Sequence, residues 1–163
     1  MTHRTWLIFL HVIIIWVVVT LAERESLSTI CAETCRAAVH RVNESLTFRI
    51  DEKELVEILE SLNNSQDSKL PPKYVTKQKA SDLGWRPGTN LWAHPGLRGR
   101  SIGGDHFSNR ERKLPDGGRI WREADLDYRG GHRGPKRLIF SNDGIRMVTV
   151  DHYRTYKEIP RCR

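Results

Sequence analysis

Leu55, Ile58, Leu59 and Leu62 fall three and four residues apart, the spacing that lines one face of a helix. Acids gather at the start of that run, where a helix dipole favours negative charge, and Asn63-Asn64-Ser65 stops it. Leu70-Pro71-Pro72 then reads as an extended linker. Thr76 is placed to cap a second short helix, Lys77 to Leu83, which Gly84 ends. Residues 86–104 are rich in Gly, Pro and Arg and predict loop, with one helical turn near Leu91-Trp92. Beyond residue 100 the texture changes. Short β-like runs at 101–107, 119–126, 136–141, 145–151 and 155–159 are separated by Gly, Pro, Asn and Asp clusters. Ser141-Asn142-Asp143-Gly144 is a tight-turn sequence between two of them. Helices followed by successive hairpin-like strands predict an α+β domain with N-terminal helices packed on a C-terminal antiparallel β-sheet.

The N-terminal pattern is of another kind. His3 and Arg4 precede an apolar run from Trp6 to Ala22, broken only by His11 and Thr20. That run spans about 25 Å as a helix, long for a signal peptide and short of the ~30 Å hydrocarbon core. Residues 1–22 are therefore expected to be a signal peptide or a signal anchor, and either sends the remainder across the membrane. Residues 23–50 are expected to be a linker or N-terminal extension, and 51–163 the folded domain. Asn43-Glu44-Ser45 and Asn63-Asn64-Ser65 match the glycosylation acceptor pattern, which has meaning only in a eukaryotic host. Of the three cysteines, Cys31 or Cys35 with Cys162 would tie the N-terminal extension to the end of the domain. Without histidines at ligand spacing they make a poor zinc site.

Charge adds a direction. Residues 71–163 carry 20 Lys and Arg against 10 Asp and Glu, whereas residues 1–70 carry 7 against 10. A basic C-terminal half points to a polyanionic partner. Within it, alternation puts Arg119, Trp121, Glu123 and Asp125 on one face of a strand. Charges around a tryptophan suit the floor of a binding cleft better than a buried face. Glu123, His152 and the nearby Arg133 and Arg137 are the residue types that cleave a phosphodiester without a metal. A carboxylate takes a proton from an attacking hydroxyl, a protonated imidazole gives one to the leaving oxygen, and guanidinium groups hold the phosphate.

Several segments then carry a resemblance in fixed order. They are Leu70-Pro71-Pro72-Lys73-Tyr74-Val75-Thr76-Lys77, Leu83-Gly84-Trp85, Ser101-Ile102-Gly103-Gly104-Asp105 and Phe107-Ser108-Asn109-Arg110-Glu111. Lys113-Leu114-Pro115, Trp121-Arg122-Glu123-Ala124-Asp125 and Asp151-His152-Tyr153 complete the set. From about residue 50 to 160 the chain resembles the barnase-like secreted microbial ribonucleases that prefer guanine, while residues 1–49 lie outside the likeness. The resemblance implies Glu123 as general base, His152 as general acid, and Arg133, Arg137 and Lys77 as the phosphate-holding cations. It implies Ser108, Asn109, Arg110 and Glu111 as the base-reading loop, with Tyr153 lining the same cleft and His132 near it. Asp105 and Asp125 match acids that brace basic residues. Departures are a longer 86–100 loop carrying Trp92, and Gly144 in place of a large aromatic.

The expected activity is an exported endoribonuclease that makes a 2′,3′-cyclic phosphate and then hydrolyses it, on the 3′ side of guanosine, needing no cofactor or metal. RNA is the expected partner, with an acidic barstar-like inhibitor protein suggested by the resemblance. Membrane association is expected only if the N-terminal segment is uncleaved, and the domain is expected to be monomeric. Two rival readings stand beside it: a catalytically dead RNA-binding domain on the same fold, and a basic interaction protein held at a membrane by Trp6–Ala22.

Overall fold

The computed structural model describes residues 33–163. The apolar segment 6–22, on which the targeting expectation rests, and Cys31 both lie outside the described residues. Among the described residues no helix is long and apolar enough to cross a membrane.

Two helices open the domain, α1 (Cys35–Glu44) and α2 (Glu52–Asn64). Thr34 caps the first by accepting the Ala37 N–H, and Asp51 caps the second through the Glu54 N–H. The linker expected over 23–50 needs correcting from residue 33 onward. Ala38, Val39 and Val42 of α1 are buried and join Leu55, Ile58, Leu59 and Leu62 of α2 in one core. The apolar positions of α1 are too few and too small to stand out by periodicity, since Cys35, Ala38 and Val39 supply most of its buried face.

After α2 come β1 (Tyr74–Val75), α3 (Lys77–Asp82) capped by Thr76, and a 3₁₀ turn at Leu91–Ala93. Strands β2 (Ser101–His106), β3 (Trp121–Asp125), β4 (Arg137–Ser141), β5 (Arg146–Thr149) and β6 (Lys157–Glu158) complete the chain. They form one sheet in the order β1-β2-β3-β4-β5-β6, antiparallel except for the parallel β1–β2 pair. The α+β expectation holds, and β1 was hidden because two residues after a proline pair give no alternation to read.

Leu126, Leu138, Phe140 and Val148 bring the sheet's inner face to α1 and α2. A second cluster gathers Trp85, Leu91, Leu97, Ile102 and Tyr128 beneath the 86–100 loop. Trp92, carried by the longer 86–100 loop, packs inward: it meets Tyr128 edge-on at 5.6 Å and donates its indole N–H to the Arg100 carbonyl. A disulfide joins Cys35 to Cys162, closing the domain across 127 residues of chain. Of the two acceptor asparagines, Asn43 is buried and bonds both the N–H and the carbonyl of Ile50. Asn63 donates to the Cys162 carbonyl, so both side chains serve the fold.

Candidate active site

Strand β3 is the axis of the site. Its alternation sends Trp121, Glu123 and Asp125 to one side, while Arg122 is exposed and Ala124 enters the helix-packed core on the other. Glu123 is only 7% exposed, so its charge needs partners. It has two at short range. Lys77 Nζ lies 2.7 Å from Oε1, and the Tyr153 hydroxyl donates to Oε2 at 2.6 Å. Burial works to raise the Glu123 pKa, but the hydrogen bonds from Lys77 and Tyr153 and the charges of Lys77 and Arg137 outweigh it. The carboxyl is held below its usual range and is ionised at neutral pH.

Lys77 reaches this carboxylate because α3 starts beside β2. Its backbone N–H donates to both Asp105 oxygens, at 2.9 and 3.2 Å, which pins the first turn of the helix against the strand. Asp105 thus braces a basic residue through the backbone and not through an ion pair.

Asp125, two residues along the same face, holds the arginines. Arg133 donates Nε and Nη2 to its two oxygens at 2.6 and 2.7 Å, a bidentate pair that fixes the guanidinium plane and leaves Nη1 outside both bonds. Burial alone would lower the Arg133 pKa; the Asp125 pair raises it instead, so the charge is permanent. Arg137 is buried, with Nε 2.9 Å from Asp125 Oδ1 but not aligned to donate to it, and Nη1 given to the Gly134 and Lys136 carbonyls. A buried donor without an acceptor is costly unless a ligand supplies one.

His152 and Tyr153 come after β5 on a turn with unusual backbone. Both have positive φ, 58° and 68°, a region that costs a non-glycine residue about 1–2 kcal/mol. Asp151 holds the turn: it accepts from the Arg154 and Thr155 N–H groups and from the Thr149 and Thr155 hydroxyls. Those bonds, led by the Thr155 hydroxyl and N–H, depress its pKa to about 2. Thr149 also accepts the Tyr153 N–H. The imidazole of His152 is exposed, 5.0 Å from the Tyr153 ring, and that ring lies 6.0 Å from the Arg137 guanidinium. The turn therefore sets His152 beside Tyr153, whose hydroxyl bonds Glu123.

Phe107 stacks on the Tyr153 ring at 5.5 Å and leads into the 108–111 loop. Asn109, at φ 43°, organises that loop by bonding the N–H and the carbonyl of Leu114. Asn109 is thus internal scaffolding. Ser108 and Arg110 are exposed, and Glu111 is exposed and ion-paired with Lys113 at 2.5 Å. A short polar loop offers Glu111 no apolar cover. Lys113 Nζ also donates to the Tyr153 carbonyl, linking loop and turn. His132 is exposed on the segment before Arg133.

Sequence reasoning missed three contributors. Thr149 had no motif beyond its place two residues before Asp151. Phe107 and Lys113 were visible as family positions but carried no stated role. Tyr153 was assigned to the cleft wall, yet its hydroxyl bonds Glu123, a contact that spacing along the chain cannot reveal. Among the described residues no group of three or more His, Cys, Asp or Glu side chains is placed to hold a metal ion.

Known proteins are similar to this chain in sequence. A ribonuclease of Heyndrickxia coagulans is 48% identical over 92 residues, which make up 56% of this chain and 84% of that protein. Ribonucleases of Bacillus intermedius and Bacillus pumilus are likewise 48% identical over 92 residues, so the chain spans about half the length, 56%, of each. The family model described as ribonuclease matches residues 60–160, a span that contains β1 through β6 and the whole cluster around Glu123. On that match, the chain belongs to the ribonuclease family.

Proposed function

We propose that this domain is an endoribonuclease that cleaves single-stranded RNA by transesterification. The observation that carries the reading is Glu123: a nearly buried, ionised carboxylate held by Lys77 and Tyr153, beside two arginines fixed on Asp125. Glu123 takes the proton from a ribose 2′-OH, the oxygen attacks the adjacent phosphorus, and His152 protonates the departing 5′ oxygen. A 2′,3′-cyclic phosphate forms. Water then opens it, with Glu123 and His152 exchanging roles. Arg133, Arg137 and Lys77 offset the charge that builds on the phosphoryl oxygens. DNA, lacking the 2′-OH, supplies no nucleophile.

Preference for guanosine belongs to the same proposal. Guanine offers N1–H and N2–H₂ as adjacent donors and O6 as an acceptor. Glu111 accepts from the donors, while N–H groups around Asn109 and Arg110 reach O6, and Tyr153 or His132 stacks nearby. Glu111 is exposed and paired with Lys113, so guanine has to displace that lysine. Export follows from the apolar segment 6–22, and a basic cleft of this kind suits an acidic inhibitor protein. Comparing GpU with ApU tests the reading: faster cleavage of GpU, with a cyclic phosphate as first product, is expected. Glu111→Ala should narrow the gap by about 1–3 kcal/mol, the scale of a lost hydrogen-bonded base contact. Equal rates on the two dinucleotides would remove Glu111 as the base reader.

A further inference from the structure

Arg122 sits next to Glu123 on β3 and faces the opposite way, into a second pocket of about 530 Å³ outside the cleft. Lys69, Lys79 and Arg100 line the same pocket, and among the described residues no aspartate or glutamate lines it. Lys73, Lys77, Arg119, Arg129, Arg133, Lys136 and Arg146 are all paired with carboxylates, whereas none of the four pocket cations is ion-paired among the described residues. Four like charges around one concavity repel one another until an anion enters it.

The pocket is built by the backbone. A register shift in the β2–β3 pairing leaves Gly104 bulged at φ +91°, and its carbonyl takes the Arg122 Nη1–H at 2.9 Å. Arg100 is tied to the Pro72 carbonyl, so two of the cations are held in place while Lys69 and Lys79 remain exposed and adjustable. The pocket also meets the cleft: Thr76 lines it, and Lys77, the next residue, reaches Glu123.

We infer that this pocket is a second phosphate-binding site, which holds the backbone of an RNA strand extending beyond the scissile bond over the start of α3. The inference rests on the endoribonuclease reading and adds a reason for preferring long substrates to dinucleotides. Pockets of fixed cations without base-reading groups bind phosphates irrespective of sequence, and each neutralised phosphate on a single strand adds about 0.7 to the salt slope.

The test compares wild type with Lys69→Gln/Lys79→Gln, two exposed side chains outside the catalytic cluster, on GpU and on a long single-stranded RNA across a salt series. The double variant should keep the GpU kcat/KM, raise KM severalfold on the long RNA, and lower the slope of log KM against log salt by about 0.7 per removed charge. Lys69→Arg/Lys79→Arg should restore wild-type behaviour. Equal losses on both substrates, or an unchanged KM on the long RNA, would overturn the site. If wild type cleaves neither substrate the endoribonuclease reading fails instead. The pocket is then read by titrating wild type with a 2′-deoxy oligonucleotide and tracking the Gly103 and Gly104 amide resonances. Shifts there that the double variant abolishes sustain it, and no shifts overturn it.

Discussion

At the scale of single residues, Tyr153 ties the site together. Its hydroxyl holds Glu123, its ring packs with those of His152 and Phe107, and its backbone carbonyl takes Lys113. Burial and the hydrogen bond to Glu123 both raise the Tyr153 pKa, so the phenol stays protonated and donates throughout the working range. Tyr153→Phe removes one of the bonds that lower the Glu123 pKa. The carboxyl then protonates at a higher pH, and the acidic limb of kcat/KM should move upward, with the alkaline limb in place. An acidic limb that stays where it was would mean the tyrosine does not tune the base. Residue identities were the most legible part of the chain, because Glu123, His152, Arg133, Arg137 and Lys77 stand in ordered motifs. Their mutual contacts were not legible. The 2.7 Å Lys77–Glu123 pair joins residues 46 positions apart, and only the folded sheet brings them together.

Among the elements, two devices stand out, one in the site and one in the frame that carries it. The first is the turn after β5, where Asp151 gathers four hydrogen bonds and holds His152 and Tyr153 at positive φ. Because the folded-state pKa of Asp151 falls from 3.8 to about 2, its contribution is fully present above 3.8 and is lost as pH falls through about 2. The stability gap between wild type and Asp151→Asn should therefore shrink over that window, as read by denaturant unfolding at stepped pH. A constant gap would place its effect outside ionisation. The second is the Cys35–Cys162 disulfide, which fastens α1 to the chain end across 127 residues. Reduction, or Cys35→Ser, should cost about 2–5 kcal/mol. Unchanged stability would show that packing of α1 alone secures it. Helices α2 and α3 were legible from apolar spacing and caps, and the five later strands from their turn punctuation. Helix α1 was not, because small side chains and a disulfide hold it where an apolar stripe would otherwise announce it.

For the molecule as a whole, the sheet is a two-sided device. One face meets the helices and closes the core; the other carries a buried carboxylate, paired arginines and a raised histidine turn. The basic excess of the C-terminal half, visible in composition, includes cations tied to carboxylates in the cleft and, among the described residues, cations left without an ion pair beside β2 and β3. In the proposed mechanism Glu123 and His152 carry the proton transfers of RNA cleavage, and everything else around the cleft positions them or the phosphate. The single-turnover rate of GpU cleavage in excess chelator reads those transfers directly, for wild type, Glu123→Ala and His152→Gln, with folding checked by circular dichroism. Wild type should form the cyclic phosphate rapidly, and each folded variant should be slower by about 10²–10⁴. A folded Glu123→Ala or His152→Gln protein that cleaves at the wild-type rate would overturn the assignment.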